Sequence, residues 1–488
     1  MESYIGELLE EHSFLYPDKL AIISDNKTYT YGEFHYAVER LQREMIAYSG
    51  ISKKRVGIFV EEPALFLVIF FSVIRNGWSA IPLDSKWTDE EMEHALGIAQ
   101  PDFVIVEKVE DFLYDVKTIL LSNLNEFNLQ DGQNEIPKVD SDFYFYIGFT
   151  SGSTGKPKGF FRNHQSWLES FAVCEQVFPI HKNSIVFSPG PLFHSLSLFA
   201  AVHALHLGTT IHVSNSFSSR VVVERIAREG IDTLIAVPTM IEAIINLYKD
   251  AEQIPSHLQT FIVSGSEWSR QSKQKTKSLF PNAKLFEYYG ASELSFVMYK
   301  EYIAEEEKGH SMFPGVSLNI LDDNGNKVSQ GKVGKVYLSS NMLFSGYLNN
   351  ERETVNVLTK NGATVGDLGY QDEDGYIYLV GRESNMIKSG GLKVFPEEVE
   401  EVLQSHKDIE QAFVFSMPDN YWGEKVVAAV IWKNAMNTVA DDELKDFCRK
   451  YLASFKVPKQ FIQTDKLAFT KTGKIDRNAT KYRLEILV

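Results

Sequence analysis

The sequence predicts a multidomain α/β protein with a large N-terminal domain of layered α/β sheets, a β-rich subdomain and a small α+β C-terminal domain. Short β-rich runs alternate with helical periodicity before residue 315, which is typical of parallel strands covered by helices. Beyond residue 315, two β-rich runs flank the turn Asp323-Asn324-Gly325, and this pattern predicts a hairpin. The C-terminal region contains two further helix starts and is predicted to form a unit of its own. The length of 488 residues agrees, since a domain takes about 150 residues on average.

Local patterns support the individual elements. The run 55–60 is predicted to be a buried strand, and the mostly apolar run 64–75 is predicted to be the helix that follows it. Residues 396–398, Pro-Glu-Glu, mark a helix start, because acidic side chains suit the positive end of the helix dipole. Another helix is predicted after Asp441, where apolar residues recur at helical spacing as far as Leu452. Similar β-rich runs predict further strands at 184–187, 233–237 and 260–263.

Composition and charge exclude several classes of protein. The net charge of −16 disfavours broad binding to nucleic acid or to an anionic membrane, because phosphate contacts need a basic face. Cys174 and Cys448 lie far apart without a CxxC motif, so neither a disulfide framework nor a cysteine zinc site is expected. The N-terminus has no basic flank before an apolar core, and the apolar run 64–71 is much shorter than the ~20 residues of a spanning helix. We therefore expect a soluble, cytoplasmic protein without a transmembrane segment or a nucleic-acid partner.

Residues 149–159 read FTSGSTGKPKG and directly follow a β-rich apolar run. The glycines allow the backbone to approach a ligand, and consecutive N–H groups in such loops form anion-binding nests. The hydroxyls add donors and the two lysines add positive charge. The segment is neither a Walker A motif nor a GxGxxG motif. Gly/Ser content alone is more often the mark of a solvated turn than of an anion site, so other parts of the chain must decide.

The complete segment resembles the phosphate-binding signature of the adenylate-forming (ANL) superfamily, which includes acyl-CoA synthetases, nonribosomal adenylation domains and firefly luciferase. The resemblance continues in order along nearly the whole chain. It implies the ANL fold, whose small C-terminal domain is mobile. The further matching segments are Tyr289-Gly290-Ala291-Ser292-Glu293, Gly366-Asp367-Leu368-Gly369, Gly381-Arg382, Ser389-Gly390-Gly391 with Pro396-Glu397-Glu398-Val399-Glu400, and Thr472-Gly473-Lys474-Ile475.

The resemblance implies that a carboxylate oxygen attacks the α-phosphorus of ATP and that pyrophosphate leaves. No protein nucleophile is needed, so catalysis is mainly alignment and charge neutralisation. Glu293 is expected to hold Mg²⁺, a hard cation suited to a carboxylate and phosphate oxygens. Ser292 is expected to bond the α-phosphate. The residues expected to grip the β- and γ-phosphates are Thr150, Ser151, Gly152, Ser153, Thr154, Gly155 and Lys158.

Other matching residues are expected to bind the nucleoside. Tyr289, followed by Gly290, is expected to stack on adenine. Asp367 is expected to accept hydrogen bonds from the ribose hydroxyls, with Arg382 as a charged donor nearby. Taken singly, Glu293 or Asp367 is more commonly an exposed acid in a loop, and the ordered set of motifs is what favours the functional interpretation.

The C-terminal motif supplies the catalytic lysine that the resemblance implies. Lys474 is expected to touch the carboxylate substrate and the α-phosphate during adenylation and to stabilise charge there. Taken alone it is a solvated surface lysine. The family then rotates its C-terminal domain about a linker to admit the thiol acceptor, coenzyme A. The face carrying Gly390, Gly391 and Lys393 is expected to approach that acceptor. The predicted domains are residues 1–381, a hinge at 382–384 and residues 385–488. Ser384 stands where many relatives have Asp or Lys.

The substrate acid is indicated by a smaller set of residues. His194 stands in a segment, Pro191 to Leu196, where amino-acid-activating relatives usually carry an Asp that neutralises the ammonium group. An amino-acid substrate is therefore disfavoured, since a buried ammonium needs a partner charge. His194 is otherwise a hydrogen-bonded core histidine. The apolar residues that either line an acyl pocket or are plain core are Phe193, Leu196, Leu198, Phe199, Val237, Met240, Val263 and Trp268.

The leading hypothesis is an ATP-dependent acyl-CoA synthetase acting on a fatty or aryl carboxylic acid, with ATP, Mg²⁺ and coenzyme A. The nearest alternative is a stand-alone adenylating enzyme that loads a separate acyl or peptidyl carrier protein. A luciferase-like oxidative use is possible on this fold, but nothing in the sequence requires it. A catalytically inactive nucleotide-binding regulator is more remote, because the site residues of the family are retained.

Overall fold

The computed structural model describes residues 4–124, 138–151, 157–248, 257–304, 308–434, 438–469 and 475–486. The chain divides into two compact units. Unit 1 comprises Met1–Ser317 and Ser339–Ala363, and unit 2 comprises Leu318–Leu338 and Thr364–Val488. Each unit is discontinuous in sequence. The predicted hinge at 382–384 overlaps a short 3₁₀ turn, Glu383–Asn385, within unit 2. The predicted domain boundaries stay a prediction.

Helix starts follow the local rules of capping. Thr30 and Glu33 form a capping box at α2, Thr88 and Glu91 form another at α4, and proline is the first residue of α3, α9 and α12. The helices are α1 (Leu8–Leu15), α2 (Tyr31–Ser49), α3 (Pro63–Arg75), α4 (Asp89–Ala99), α5 (Leu121–Leu124), α6 (His164–Val177), α7 (Ser195–Leu207), α8 (Ser219–Arg228), α9 (Pro238–Leu247), α10 (Arg270–Leu279), α11 (Glu351–Val357), α12 (Pro396–Gln404), α13 (Asp441–Arg449) and α14 (Arg477–Glu485).

The strands are mostly short and rich in β-branched and aromatic residues. They are β1 (Leu20–Ile23), β2 (Thr28–Thr30), β3 (Arg55–Phe59), β4 (Ser79–Pro82), β5 (Phe103–Val106), β6 (Thr118–Leu120), β7 (Tyr144–Ser151), β8 (Pro157–Asn163), β9 (Ile185–Ser188), β10 (Thr210–Val213), β11 (Thr233–Ala236), β12 (Thr260–Val263), β13 (Lys284–Ala291), β14 (Ser295–Glu301), β15 (Ser311–Met312), β16 (Ser317–Leu321), β17 (Gly334–Ser339), β18 (Gly346–Tyr347), β19 (Leu358–Thr359), β20 (Gly362–Ala363), β21 (Asp367–Gln371), β22 (Ile377–Arg382), β23 (Ile387–Ser389), β24 (Leu392–Val394), β25 (Ile409–Asp419), β26 (Gly423–Trp432) and β27 (Gln460–Gln463).

Unit 1 contains two large mixed sheets with helices against them. One has the strand order β15-β14-β13-β12-β11-β9-β10-β1-β2, and the other has the order β18-β8-β7-β4-β3-β5-β6. The central pairs of both sheets are parallel, whereas β13–β14 and β7–β8 are antiparallel pairs towards one side. The parallel strands are buried almost throughout, as sheets covered on both faces require. Helix α3 is buried along nearly its whole length, which explains its apolar sequence.

Unit 2 contains two smaller sheets. Strands β16, β17, β21 and β22 are neighbours in that order, and β17–β21 and β21–β22 pair antiparallel. The other sheet has the order β24-β23-β26-β25, with β27 parallel to β26. Helices α12 and α13 pack on it through a core that includes Val399, Leu403 and Leu444. The predicted fold class, with layered α/β sheets, a β-rich part and an α+β C-terminal part, is confirmed. Helix α13 ends at Arg449, earlier than the apolar stripe to Leu452 predicts.

The described part of the chain has no helix that is both long and apolar enough to cross a membrane.

Buried histidines make unit 1 sensitive to acid. Burial lowers the pKa of His164 from 6.5 to about 3 and the pKa values of His194, His206 and His212 to about 4. The unfolded chain therefore binds these protons at a higher pH than the folded chain does. The stability associated with the neutral imidazoles is present above pH 6.5 and is lost as the pH falls from 6.5 towards 4.

We expect the apparent free energy of unfolding to fall between pH 7 and pH 5, by about 1.4 kcal/mol per pH unit for each proton taken up. Glu44 and Glu400 oppose this trend, because burial raises their pKa, but the four histidines outnumber them. Urea unfolding at several pH values measures the slope. His164→Phe, which keeps a ring against Phe145, reduces the slope, and the exposed control His257→Gln leaves it unchanged. A stability independent of pH over this interval would contradict the assignment.

Candidate active site

The predicted phosphate-binding segment lies at the end of the β7–β8 hairpin. Thr150 is paired with Lys158 across the two strands, and Ser151 is paired with Pro157. The hairpin therefore holds the two ends of the segment side by side. Four of the predicted site residues between them, Gly152, Ser153, Thr154 and Gly155, lie outside the described residues.

Lys158 extends from β8 towards residues of unit 1 that are distant in sequence. Its Nζ lies 2.9 Å from Oε2 of Glu353, which is on α11. The same Nζ lies 5.9 Å from the centre of the Tyr347 ring. Lys158, Glu353 and Tyr347 are all half-buried. The ion pair with Glu353 was not predicted from the sequence.

The segment from Tyr289 to Glu293 forms the end of β13 and the turn into β14. A β-bulge lies between Tyr289 and Gly290. A Cβ atom at position 290 would collide with the carbonyl oxygen of Ser295, so only glycine fits there. The turn is closed by a hydrogen bond from the Leu294 N–H to the Ala291 carbonyl, 3.1 Å long. This tight turn places Ser292 and Glu293 at the end of the strand, as expected for residues that meet a ligand.

Glu293 is held on both sides by residues 344–347. The Tyr347 hydroxyl donates to Oε1 of Glu293 over 2.6 Å, and the Phe344 N–H donates to the Glu293 carbonyl over 2.9 Å. Tyr347 reaches this position because β18 pairs with β8. Sequence reasoning missed Tyr347. Glu293, Tyr347 and Lys158 thus lie in one cluster, which joins the hairpin of one sheet to the β13–β14 turn of the other.

Arg162 binds the same turn through the Ser292 carbonyl. Sequence reasoning did not predict this role. The side chain of Arg162 is buried, with 3% exposed. Nη1 donates to the Ser292 carbonyl over 3.1 Å, Nη2 to the Met342 carbonyl over 2.8 Å and Nε to the Ser166 hydroxyl over 3.2 Å. Burial lowers the pKa of Arg162, while the charges of Tyr146 and Glu293 oppose this shift. The signal in the sequence was an arginine inside the β-rich run 157–163, where a charge needs buried partners.

His194 lies immediately before α7 and is half-buried. Its ring packs edge-on against Phe193, with ring centres 4.6 Å apart. Burial, and then the charge of Lys86, lower the pKa of His194 to about 4, so its imidazole is neutral at pH 7. The next residue, Ser195, has its hydroxyl 3.3 Å from the Tyr146 hydroxyl. A neutral imidazole here can donate or accept a hydrogen bond, but it cannot neutralise an ammonium group.

Glu293 offers a carboxylate of the kind that nucleotide-bound Mg²⁺ requires. The described residues contain no group of three or more His, Cys, Asp or Glu side chains arranged to hold a metal. Nucleotide-bound Mg²⁺ needs no such cage, because it takes one or two carboxylates and completes its shell with phosphate oxygens and water. Glu293 accepts one hydrogen bond from Tyr347 and keeps further lone pairs for a cation. The donor set therefore fits the ion.

Unit 2 brings together the two residues predicted to bind ribose. Asp367 opens β21 and Arg382 ends β22, and the two are direct partners across the strands. Nε of Arg382 donates to Oδ1 of Asp367 over 3.0 Å. The carboxylate is buried, with 6% of the residue exposed, while Arg382 is exposed. The antiparallel hairpin thus orients an acceptor beside a charged donor.

The acceptor-facing residues predicted in unit 2 lie on another hairpin. Gly390 and Gly391 have φ values of +58° and +81° and form the turn between β23 and β24. Positive φ at both positions is typical of a type I′ hairpin turn, which explains the two glycines structurally. Lys393 is exposed, and its Nζ lies 3.2 Å from Oδ2 of Asp323. Lys474 lies outside the described residues, so its predicted role is neither supported nor opposed by the structure.

Comparison with known proteins establishes the family. The profile of the AMP-binding enzymes matches residues 9–348, and that of the AMP-binding enzyme C-terminal domain matches residues 398–474. This chain belongs to the AMP-binding enzyme family. The uncharacterized acyl–CoA ligase YhfT of Bacillus subtilis (strain 168) is 36% identical over 475 residues, 96% of each chain. An oxalate–CoA ligase of Arabidopsis thaliana is 28% identical over 501 residues and is covered to 97%, as is this chain.

Solved structures of this family share the fold. o-Succinylbenzoate CoA synthetase (MenE) from Bacillus subtilis in complex with the acyl-adenylate intermediate OSB-AMP has a TM-score of 0.85 at 24% identity, with 96% of each chain covered. The same enzyme in complex with ATP and magnesium ion has a TM-score of 0.86 at 24% identity, with 97% of this chain and 98% of that chain covered. The resemblance predicted from the motifs is confirmed. The roles of the individual site residues stay predictions.

Proposed function

We propose that this AMP-binding enzyme is an AMP-forming acid–CoA ligase. It activates a carboxylic acid as acyl-AMP with release of pyrophosphate and then transfers the acyl group to the thiol of coenzyme A. The observation that carries the proposal is the cluster of Lys158, Glu293 and Tyr347, which stands at the family's phosphate-binding and YG-x-[ST]-E motifs. Relatives named as CoA ligases along nearly the full length support the choice of acceptor.

In the first half-reaction the chain aligns the carboxylate of the acid with the phosphates of ATP, although these two anions repel each other. Lys158 and the hydroxyls and N–H groups of the 150–155 segment neutralise the β- and γ-phosphates. Glu293, oriented by Tyr347, would hold Mg²⁺, which when bound would withdraw negative charge from the phosphate oxygens. Ser292 donates to the α-phosphate, and the neutral His194 closes on the carboxylate of the acid. Alignment of this kind supplies most of the rate enhancement when no protein nucleophile takes part.

The nucleoside is held by two further groups. Tyr289 stacks on adenine, and it is followed by Gly290, where only glycine leaves room for the Ser295 carbonyl. Asp367 accepts hydrogen bonds from the ribose hydroxyls, and Arg382 orients that carboxylate through its hydrogen bond. In the second half-reaction the hairpin with Gly390, Gly391 and Lys393 faces the acceptor thiol.

We propose a cytoplasmic location. Cys174 and Cys448 are both buried free thiols, which fits a reducing compartment.

A screen for pyrophosphate release tests the function. The full-length chain is incubated with ATP, Mg²⁺ and a panel of fatty, aryl and amino acids, with and without coenzyme A. Release that depends on a carboxylic acid, together with a CoA thioester, is the expected result. Release that requires an amino acid would overturn the substrate class. Acyl transfer to a phosphopantetheine carrier protein but not to coenzyme A would favour the carrier-loading alternative.

Lys474→Ala is expected to abolish acyl-adenylate formation, by at least about 10²-fold in rate, because it removes a cation from the developing charge. The same variant is expected to retain thioester formation from supplied acyl-adenylate and coenzyme A. Pyrophosphate release and thioester formation are measured separately. Lys471→Ala, a charge deletion three residues away, is the matched control and keeps both half-reactions. Equal loss of both half-reactions in Lys474→Ala would contradict the proposal that the C-terminal domain presents Lys474 only during adenylation and then rotates for acyl transfer.

A further inference from the structure

Ser295 closes the loop that presents Glu293, and its backbone has an unusual conformation. It pairs with Ala291 across β13 and β14, so residues 292–294 form the loop between the two strands. Its φ is +59°, in the left-handed region that residues other than glycine adopt uncommonly. In short hairpin loops a left-handed residue often follows the turn, and glycine usually occupies that position. Because this chain has a serine there, a contact of the side chain is expected to compensate for the strain.

The Ser295 hydroxyl is bound by a serine of helix α6. Its Oγ lies 2.8 Å from Oγ of Ser170, which is completely buried. The Ser170 hydroxyl donates to the Ser166 carbonyl, one helical turn back, over 2.7 Å. Since a hydroxyl has a single hydrogen to donate, Ser170 accepts its second hydrogen bond from Ser295. The left-handed residue is therefore fixed to the interior of α6 by a directed pair of hydrogen bonds.

The continuous segment β8–α6 holds the loop at both ends. Arg162, on β8, donates to the Ser292 carbonyl at the start of the loop over 3.1 Å. Ser170, on α6, binds Ser295 just after the loop. Strand β8 also carries Lys158 and runs directly into α6. The loop with the proposed metal ligand is thus anchored to the segment that carries the proposed phosphate-binding lysine.

We propose that Ser170 is a positioning residue for Glu293, the proposed ligand of Mg²⁺. The hydrogen bond from Ser295 to Ser170 stabilises the left-handed backbone of Ser295, and this backbone sets the direction in which the loop presents the Glu293 carboxylate. The inference rests on the proposed function and adds to it a buried residue that contacts neither nucleotide nor metal. Removal of a group that orients a metal ligand commonly lowers metal affinity or activity by about 10–100-fold.

Ser170→Ala tests the inference without altering a group that reaches the ligand. We expect the Mg²⁺ concentration for half-maximal pyrophosphate release to rise by about 10-fold and kcat to fall. Binding of ATP is measured in parallel by isothermal titration calorimetry at low and at saturating Mg²⁺. The affinity of the variant for ATP should be lower than that of wild type at low Mg²⁺ and should recover at saturating Mg²⁺. This second measurement needs no turnover.

Substitutions at position 295 separate the hydrogen bond from the backbone conformation. Ser295→Ala loses the hydroxyl and still carries the strain of a positive φ, so its Mg²⁺ requirement should rise as much as that of Ser170→Ala. Ser295→Gly also loses the hydroxyl but adopts a positive φ without strain, so its Mg²⁺ requirement should rise less. Ser170→Ala should add nothing to Ser295→Ala, because both remove the same bond. Additive effects in the double variant, or equal effects of alanine and glycine at position 295, would contradict the mechanism.

Ser72→Ala is the matched control. Ser72 is an equally buried serine on α3, and its hydroxyl donates to the Val68 carbonyl one turn back over 2.7 Å. This variant should keep the Mg²⁺ requirement of wild type, and thermal unfolding confirms that each variant is folded. If folded Ser170→Ala kept both the Mg²⁺ requirement and the ATP affinity of wild type, Ser170 would not be a positioning residue. Absence of acid-dependent pyrophosphate release in wild type would instead overturn the proposed function, and the ATP titration would still decide the role of Ser170.

Discussion

Glu293→Gln is expected to lower the rate of acyl-adenylate formation by about 10²–10³-fold, the usual effect of removing one preorganised group that stabilises charge in the transition state. The amide keeps the shape of the side chain and still accepts a hydrogen bond from the Tyr347 hydroxyl. It loses the negative charge that holds Mg²⁺ in the proposed site. The concentration of Mg²⁺ that gives half-maximal velocity should therefore rise as kcat falls. Pyrophosphate release, measured against Mg²⁺ concentration at saturating ATP, reports both quantities.

Two companion variants separate the charge of Glu293 from its surroundings. Tyr347→Phe removes only the hydroxyl that donates to Oε1, so its Mg²⁺ requirement should rise less than that of Glu293→Gln. Glu351→Gln changes an exposed carboxylate on α11 and should leave the Mg²⁺ requirement unchanged. If Glu293→Gln had a lower kcat with an unaltered Mg²⁺ requirement, its assignment as the metal ligand would be wrong.

Arg162→Met is expected to lower the free energy of unfolding by about 3–5 kcal/mol, because the half-buried carbonyl of Ser292 and the buried carbonyl of Met342 lose their donor. It is also expected to lower kcat/KM well below that of wild type under conditions where the variant is folded. The reason is that the Ser292 carbonyl belongs to the turn that presents Glu293. Arg162→Lys should restore little, since one ammonium group cannot reproduce the planar fork that contacts both carbonyls.

A second buried arginine provides the matched control. Arg225 pairs with Asp25 over 2.6 Å and donates to the Val213 carbonyl, in the same unit but away from the candidate site. Arg225→Met should show a comparable loss of stability with nearly unchanged kcat/KM. Thermal unfolding gives the stability of each variant, and kinetics are measured well below the lower melting temperature. If folded Arg162→Met had the same kcat/KM as Arg225→Met, Arg162 would not be a positioning residue for the Ser292–Glu293 turn.

The periodicity of the sequence was sufficient for the fold class and for most element positions. The bounds of helix α3 and strand β12 were predicted to within a residue, because an almost continuous apolar run is typical of an element that is buried on all sides. The pairing of Asp367 with Arg382 was also foreseeable, since two strands joined by a short turn bring their ends together. The order of the motifs along the chain then indicated the family, which no single motif would have indicated.

Long-range contacts could not be predicted in the same way. Tyr347 reaches Glu293 across 54 positions, and Lys158 reaches Glu353 across 195 positions. Neither contact has a local signature, because each depends on which strands become neighbours in the folded sheets.

Because Lys158 is proposed to bind a phosphate of ATP, its ion pair with Glu353 affects the expected affinity for ATP. A phosphate that engages Lys158 exchanges one anionic partner for another, so the affinity contributed by this lysine is a difference between two ion pairs. A partly exposed pair of this kind is worth about 1 kcal/mol, which a polyphosphate exceeds, whereas a singly charged anion gains little by displacing the carboxylate. Added salt weakens the Lys158–Glu353 pair and the proposed Lys158–phosphate pair alike. The affinity for ATP is therefore expected to depend less on ionic strength than it would with an unpaired lysine. In the proposed site, Glu353 thus competes with the ligand for Lys158, and we expect a polyphosphate to displace it more readily than a singly charged anion does.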